Sequence, residues 1–243
     1  MSNKGISDYG NKKLFSEDSV LECLKVLESG ETEDLFELLP RISIVRDRRF
    51  YPLLLALLEH KEVRRREFAA CAMGAMADGV FLEPLKKVFY KNRQLRDFGG
   101  RELQVAIIEA IGAIGNDDAV DFFLPELLNL RQAAAVGRNK KDDEMCRCII
   151  GAIGAVAQQG RPRSLATLAE LATSEDPQIQ VMALAELSGA YWHRPNDISD
   201  DALSDIYGMT AIGNRTVAEA ALAVLQNLAD VGCKRAEALF RKR

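Results

Sequence analysis

Apolar residues return every three or four positions along nearly the whole chain, and nowhere do they alternate over a sustained run. That is the period of an amphipathic helix, and no segment asks to be a strand. Breaks in the pattern divide it into helix pairs: Ser16–Ser29 with Thr32–Val45, Arg48–His60 with Glu62–Ala77, and Val80–Asn92 with Gly100–Gly115. Then follow Asp117–Ala135 with Asp142–Gln159, Pro162–Ser174 with Pro177–Tyr191, and Ser199–Ile212 with Arg215–Val231. A short helix at Lys234–Lys242 closes the series. Residues 1–15 are expected to be a flexible N-terminal segment, and residues 16–243 a single domain.

Three of the second helices carry one phrase: AMGAMAD at Ala72–Asp78, AIGAIGN at Ala110–Asn116 and AIGAVAQ at Ala152–Gln158. Their first alanines stand 38 and 42 residues apart. A self-similar phrase at that period implies a solenoid of paired helices. In AIGAIG, Gly112 and Gly115 lie three apart on one face, and Ala110 with Ala113 widens the low surface. Small side chains there let a neighbouring helix approach closely, offsetting the roughly 1 kcal/mol of helix propensity lost per glycine. Gly74, Gly151 and Gly154 recur in the equivalent stretches. A phosphate-cradling loop would instead follow a strand and open a helix. Helix starts match as well: Asp142, Asp176 before Pro177, and Asn214 all suit an N-cap.

Asp176-Pro177-Gln178-Ile179-Gln180 followed by spaced alanines, and then the A-[LI]-G-x-[IVM]-[GA] phrase, resembles the HEAT-repeat consensus in its short bacterial form. The likeness covers residues 48–232, and Ala183–Ser188 and Ala220–Leu228 carry it more loosely than the glycine phrases. Of the arginines that the consensus places after the β-branched position, Arg66 alone is kept; Gln104, Cys146, Gln180 and Ala218 stand elsewhere. The resemblance implies an all-α, right-handed α-α superhelix, a HEAT-like solenoid of about six helix pairs, with the second helices lining its concave side. It implies no single activity.

Composition adds a place and a partner class. The chain is 48% hydrophobic and only 7% aromatic, a mixture suited to close helix packing. No window approaches the run of about eighteen apolar residues that a membrane span needs, and the first residues lack the apolar core of a signal peptide. Five cysteines without a CxxC pair fit reduced, buried thiols, so a cytoplasmic location is expected. A net charge of −4 argues against nucleic acid as the main partner. Yet residues 61–101 carry ten Lys and Arg against five Asp and Glu.

Candidate chemistry is thin. His60 and His193 lie far apart and neither stands in the His-Glu pairs with which HEAT-type hydroxylases hold iron. Residues two apart on a helix diverge, so Cys146 and Cys148 do not make a metal site. Asp117-Asp118, Asp142-Asp143 and Asp200-Asp201 stand at helix starts, where they meet the positive end of the dipole. No catalytic set, metal or cofactor follows.

Surfaces are more informative. Counting from the consensus arginine, the second helices present Glu67-Phe68, Val105-Ala106, Arg147-Cys148, Val181-Met182 and Glu219-Ala220, with Glu109 one turn further on. This small, apolar lining is either a groove for a helix or extended peptide, or surface that tight curvature packs away. Glu109 and Arg147 are its conspicuous charges. Lys61, Arg64, Arg65 and Arg66, then Lys91, Arg93, Arg96 and Arg101, then Arg138, Lys140 and Lys141 gather in connections that stacking would bring to one edge. That edge is either a solvated face or a site for an acidic protein partner. Tyr191-Trp192-His193-Arg194-Pro195 either anchors a partner or closes the core at a repeat junction. Together these features point to a non-enzymatic interaction scaffold that binds a protein. Similarity to phycobilin lyases would instead place a tetrapyrrole in the groove, with Arg147 and Tyr191–Arg194 as contacts. Similarity to HEAT-like DNA glycosylases would give a nucleic-acid-binding or repair protein. The sequence sets no oligomeric state.

Overall fold

The computed structural model describes residues 16–92, 98–137 and 140–241, and among them every regular element is a helix. The expected flexibility of residues 1–15 lies outside the described residues. Packing divides the chain into two compact units, 1–114 and 115–243.

In the first unit α1 (Glu17–Ser29), α2 (Thr32–Glu37) and α3 (Leu39–Val45) precede α4 (Tyr51–Leu58) and α5 (Val63–Met76), followed by α6 (Leu82–Asn92) and α7 (Phe98–Ile114). Helix α5 packs on α2, α3 and α4 and lies most extensively against α7. Because it is covered on several sides, Phe68, Ala69, Ala70, Ala72, Met73, Gly74 and Met76 are all buried. Phe50, Phe68, Phe81 and Leu103 fill the core between them.

The second helix of the opening pair is broken, where one continuous helix over Thr32–Val45 was expected. Pro40 has no N–H to give the carbonyl of Phe36 four residues back, and its ring would crowd that oxygen. The chain closes the turn early, with the Leu38 N–H donating to the Leu35 carbonyl at 3.0 Å, and α3 begins afresh at Leu39.

The second unit runs through α8 (Asp118–Gly137), α9 (Lys140–Gln158), α10 (Pro162–Ala172), α11 (Pro177–Tyr191), α12 (Asp200–Met209), α13 (Arg215–Asp230) and α14 (Lys234–Arg241). Helix α9 packs on α11, and α11 on α13, while α8, α10 and α12 each pack against the helix that follows. This is the expected pair pattern, with second helices stacked upon one another.

Side-chain caps begin these helices much as their sequences require. Asp176 accepts from the Gln178 N–H at 3.0 Å, and Asn214 accepts from those of Thr216 and Val217. Asp78 accepts from the Val80 N–H and from the Tyr51 hydroxyl at 2.5 Å. Asp142 differs from expectation: α9 opens at Lys140, which leaves Asp142 inside the first turn, not before it.

The glycines of the phrase divide among three roles. A methyl group on Gly74 would stand 2.8 Å from Cα of Ala110, so the bare backbone of α5 is what lets α7 approach. Gly115, expected to lie on a packing face, is left-handed at φ 71° and ends α7. Ala77 occupies the same phrase position with φ 51°. Gly154 serves neither purpose: a methyl group there would collide with the carboxylate of Glu186 on α11.

Candidate functional site

The N-terminal halves of α9 and α11, with the start of α13, enclose a groove of about 990 Å3. Its bed is Ile150, Gly151, Val181, Met182 and Ala185, and its polar margin includes Asp143, Glu144, Arg147, Gln178, Glu186, Asn214 and Thr216. From Pro177 to Glu186 the wall formed by α11 runs about 14 Å, the length of roughly four extended residues or nine helical ones. Of the outward positions that the sequence suggests in this unit, Arg147, Val181 and Met182 line the groove, and Cys148, Glu219 and Ala220 do not.

Two charged groups here have no ion-pair or hydrogen-bond partner among the described residues. Arg147 is exposed on α9. Glu186 is half-buried, with its carboxylate resting against the bare backbone at Gly154 and within 3.8 Å of where a Gly151 methyl group would be. Burial without a counter-charge pushes its carboxyl above the ordinary carboxylate range. Nothing in the first reading of the sequence marks Glu186, although a signal was present. It fills the fourth position of its phrase, where Ala75, Ala113 and Ala155 stand in the others.

The remaining sequence candidates scatter. Arg147 and Met182 line the groove. Phe68 was expected to face outward but is fully buried, its ring edge-on to Phe36 with centroids 5.7 Å apart. Tyr191 is likewise buried, while Trp192 ends α11 with half of its surface exposed. Glu109 is exposed on α7 in the first unit, whereas Arg147 belongs to the second.

Arg194 proves to be a cap. Its guanidinium donates to the carbonyls of Ala157 and Gln158 at 3.3 and 3.2 Å, closing the C-terminal end of α9. Gly160, left-handed at φ 79°, leaves the space that this side chain fills. Arg161 likewise donates from Nε to a carbonyl, that of Gly115, at 3.0 Å. Arg235 reaches the carbonyls of Asn196 and Ile198.

Three cations of the expected basic edge meet glutamates. Arg64 pairs with Glu67 at 2.8 Å and sits 4.8 Å over the Phe36 ring. Arg65 pairs with Glu62, and Lys91 with Glu59. Arg66 is half-buried, and its Nε has no hydrogen-bond partner among the described residues. Beside these arginines lies a depression of about 480 Å3 whose margin holds Glu31, Glu33 and Glu62 against Arg64 alone. Arg93, Arg96 and Arg138 lie outside the described residues.

Other chemistry is local. His60 accepts the Glu62 N–H on Nδ1 and so helps to start α5. Cys71 is pushed up to about 11 by burial and by the nearby carboxylates of Glu67 and Glu109, which leaves it a protonated, unreactive thiol. Among the described residues no group of three or more His, Cys, Asp or Glu could hold a metal ion, and no helix is long and apolar enough to cross a membrane.

No family model matches the chain, and no curated protein does. Among solved structures it is similar to the crystal structure of an engineered protein, at 20% identity over 88% of this chain and 98% of that one, with a TM-score of 0.44.

Proposed function

We propose that this chain is a HEAT-like α-solenoid interaction module that holds a segment of a partner protein in the groove between α9, α11 and α13. The repeated phrase and the stacked second helices support the solenoid reading. One observation carries the binding reading: an apolar bed lies between two charged groups, Arg147 and Glu186, that the described part of the fold leaves without partners. Apolar area supplies affinity in such grooves, and isolated charges fix register and choice of partner. The role is binding, without catalysis.

Of the residues through which a phycobilin-lyase-like site would act, Arg147 alone lines this groove. Arg194 is spent on the carbonyls of α9, and Tyr191 is buried. The acidic margin around Arg64 equally disfavours a nucleic-acid edge.

The test is selection of displayed random peptides of about twelve residues on the full chain. Peptides so selected should bind the wild type and lose at least about tenfold in affinity on Met182→Asp, which sets a charge on the apolar bed. Peptides indifferent to Met182→Asp would remove the groove from the proposal.

A further inference from the structure

Glu186 is held by burial, without a partner among the described residues. Several described carboxylates instead cap a helix or meet an arginine or lysine, as Asp78, Asp176, Glu62 and Glu59 do. Glu186 is half-buried against α9, and one glycine of the repeat phrase, Gly154, clears its seat. An alanine in place of Gly154 would collide with the carboxylate, so sequence and fold agree in keeping this space for it. A carboxylate partly withdrawn from water without a partner costs stability, which a donor or cation brought to it would offset.

The surroundings say which donor. Facing Glu186 across the groove, α9 contributes Asp143, Glu144 and Arg147, and α13 contributes the uncharged Asn214 and Thr216. Helix α10, which also packs on α11, lines no part of the groove. Asp143 and Glu144 have interactions of their own, so Glu186 and Arg147 are the two charges of this margin left without a partner among the described residues. The bed of Val181, Met182 and Ala185 offers apolar surface along which the methylene stem of a long basic side chain can lie.

We infer that the segment bound here brings a lysine or arginine to Glu186 and a carboxylate to Arg147. This deepens the groove reading and rests on it. Charge complementarity at two points fixes the direction in which the segment lies, since reversal would set like charges together. The apolar bed between them accepts small or straight side chains.

The same random-peptide display, run on wild type, Glu186→Gln and Arg147→Gln, tests this directly. Glutamine keeps the size of Glu186, so a thermal transition near that of wild type marks the variant as folded. Peptides selected on wild type should be enriched in Lys or Arg and carry Asp or Glu at a fixed spacing from it. They should lose about tenfold or more in affinity for Glu186→Gln, and selection on that variant should lose the basic preference. Selection on Arg147→Gln should keep the basic preference and lose the acidic one. Two outcomes overturn the inference alone: peptides that depend on Met182 yet show no basic enrichment, or a basic preference that survives Glu186→Gln. Peptides that do not depend on Met182 at all overturn the groove reading, and this inference with it.

Discussion

Gly74 and Gly154 hold the same place in their phrases, yet the first admits a helix backbone and the second a side chain. Gly74→Ala would set a methyl group 2.8 Å from Cα of Ala110, and neither backbone can yield without moving a helix. The expected cost is about 1–3 kcal/mol, read from urea unfolding. Gly154→Ala meets the end of a flexible glutamate and gains helix propensity, so its stability should stay within about 1 kcal/mol of wild type while the Glu186 carboxylate is displaced. Glu186 also makes a pH prediction. Its folded form favours the proton, so its contribution to stability is complete below the ordinary carboxylate range and is lost as pH rises through its raised value. Melting curves of wild type and Glu186→Gln over a pH series should therefore show the wild type losing ground as pH rises. A constant or opposite difference would contradict the burial of an unpaired carboxyl.

At the level of elements, helix ends carry more of the structure than the sequence discloses. Arg194, Arg161 and Arg235 each reach a carbonyl near the end of an earlier segment, bonds that join residues 36 to 46 positions apart. Arg194→Ala should cost about 1–2 kcal/mol, the scale of charge-assisted hydrogen bonds at a partly exposed site, with Arg194→Lys recovering part of it. Loss of binding without loss of stability would instead mark Arg194 as a partner contact. The helices themselves were legible because apolar spacing and cap residues are local signals. Three features were not. The break at Leu38 depends on what Pro40 withholds from Phe36, and the left-handed Gly115 looks like any other phrase glycine. Phe68 was placed outward by counting from Arg66, and α5, covered on several sides, has little amphipathic contrast to correct that register.

For the molecule as a whole, charge read along the chain and charge placed in the fold differ. Ten basic residues crowd 61–101, yet Arg64, Arg65 and Lys91 each find a glutamate, two of them within four positions of the arginine and one 32 residues away. A charge tally cannot see pairing. Arg64→Gln with Arg65→Gln should accordingly leave peptide affinity within about twofold of wild type, measured by calorimetric titration. Arg147 and Met182 were legible as groove residues because they vary around a repeated frame. Glu186 was hidden because its meaning depends on Gly154, more than thirty residues earlier. The central claim is that binding belongs to the groove of the second unit. Hydrogen exchange of the full chain, with and without a display-selected peptide, tests it most directly. Exchange should slow at residues 143–151, 177–186 and 214–216, the segments that contain the groove's lining. Protection centred on residues 31–36 and 62–66 of the first unit, with the groove unchanged, would contradict it.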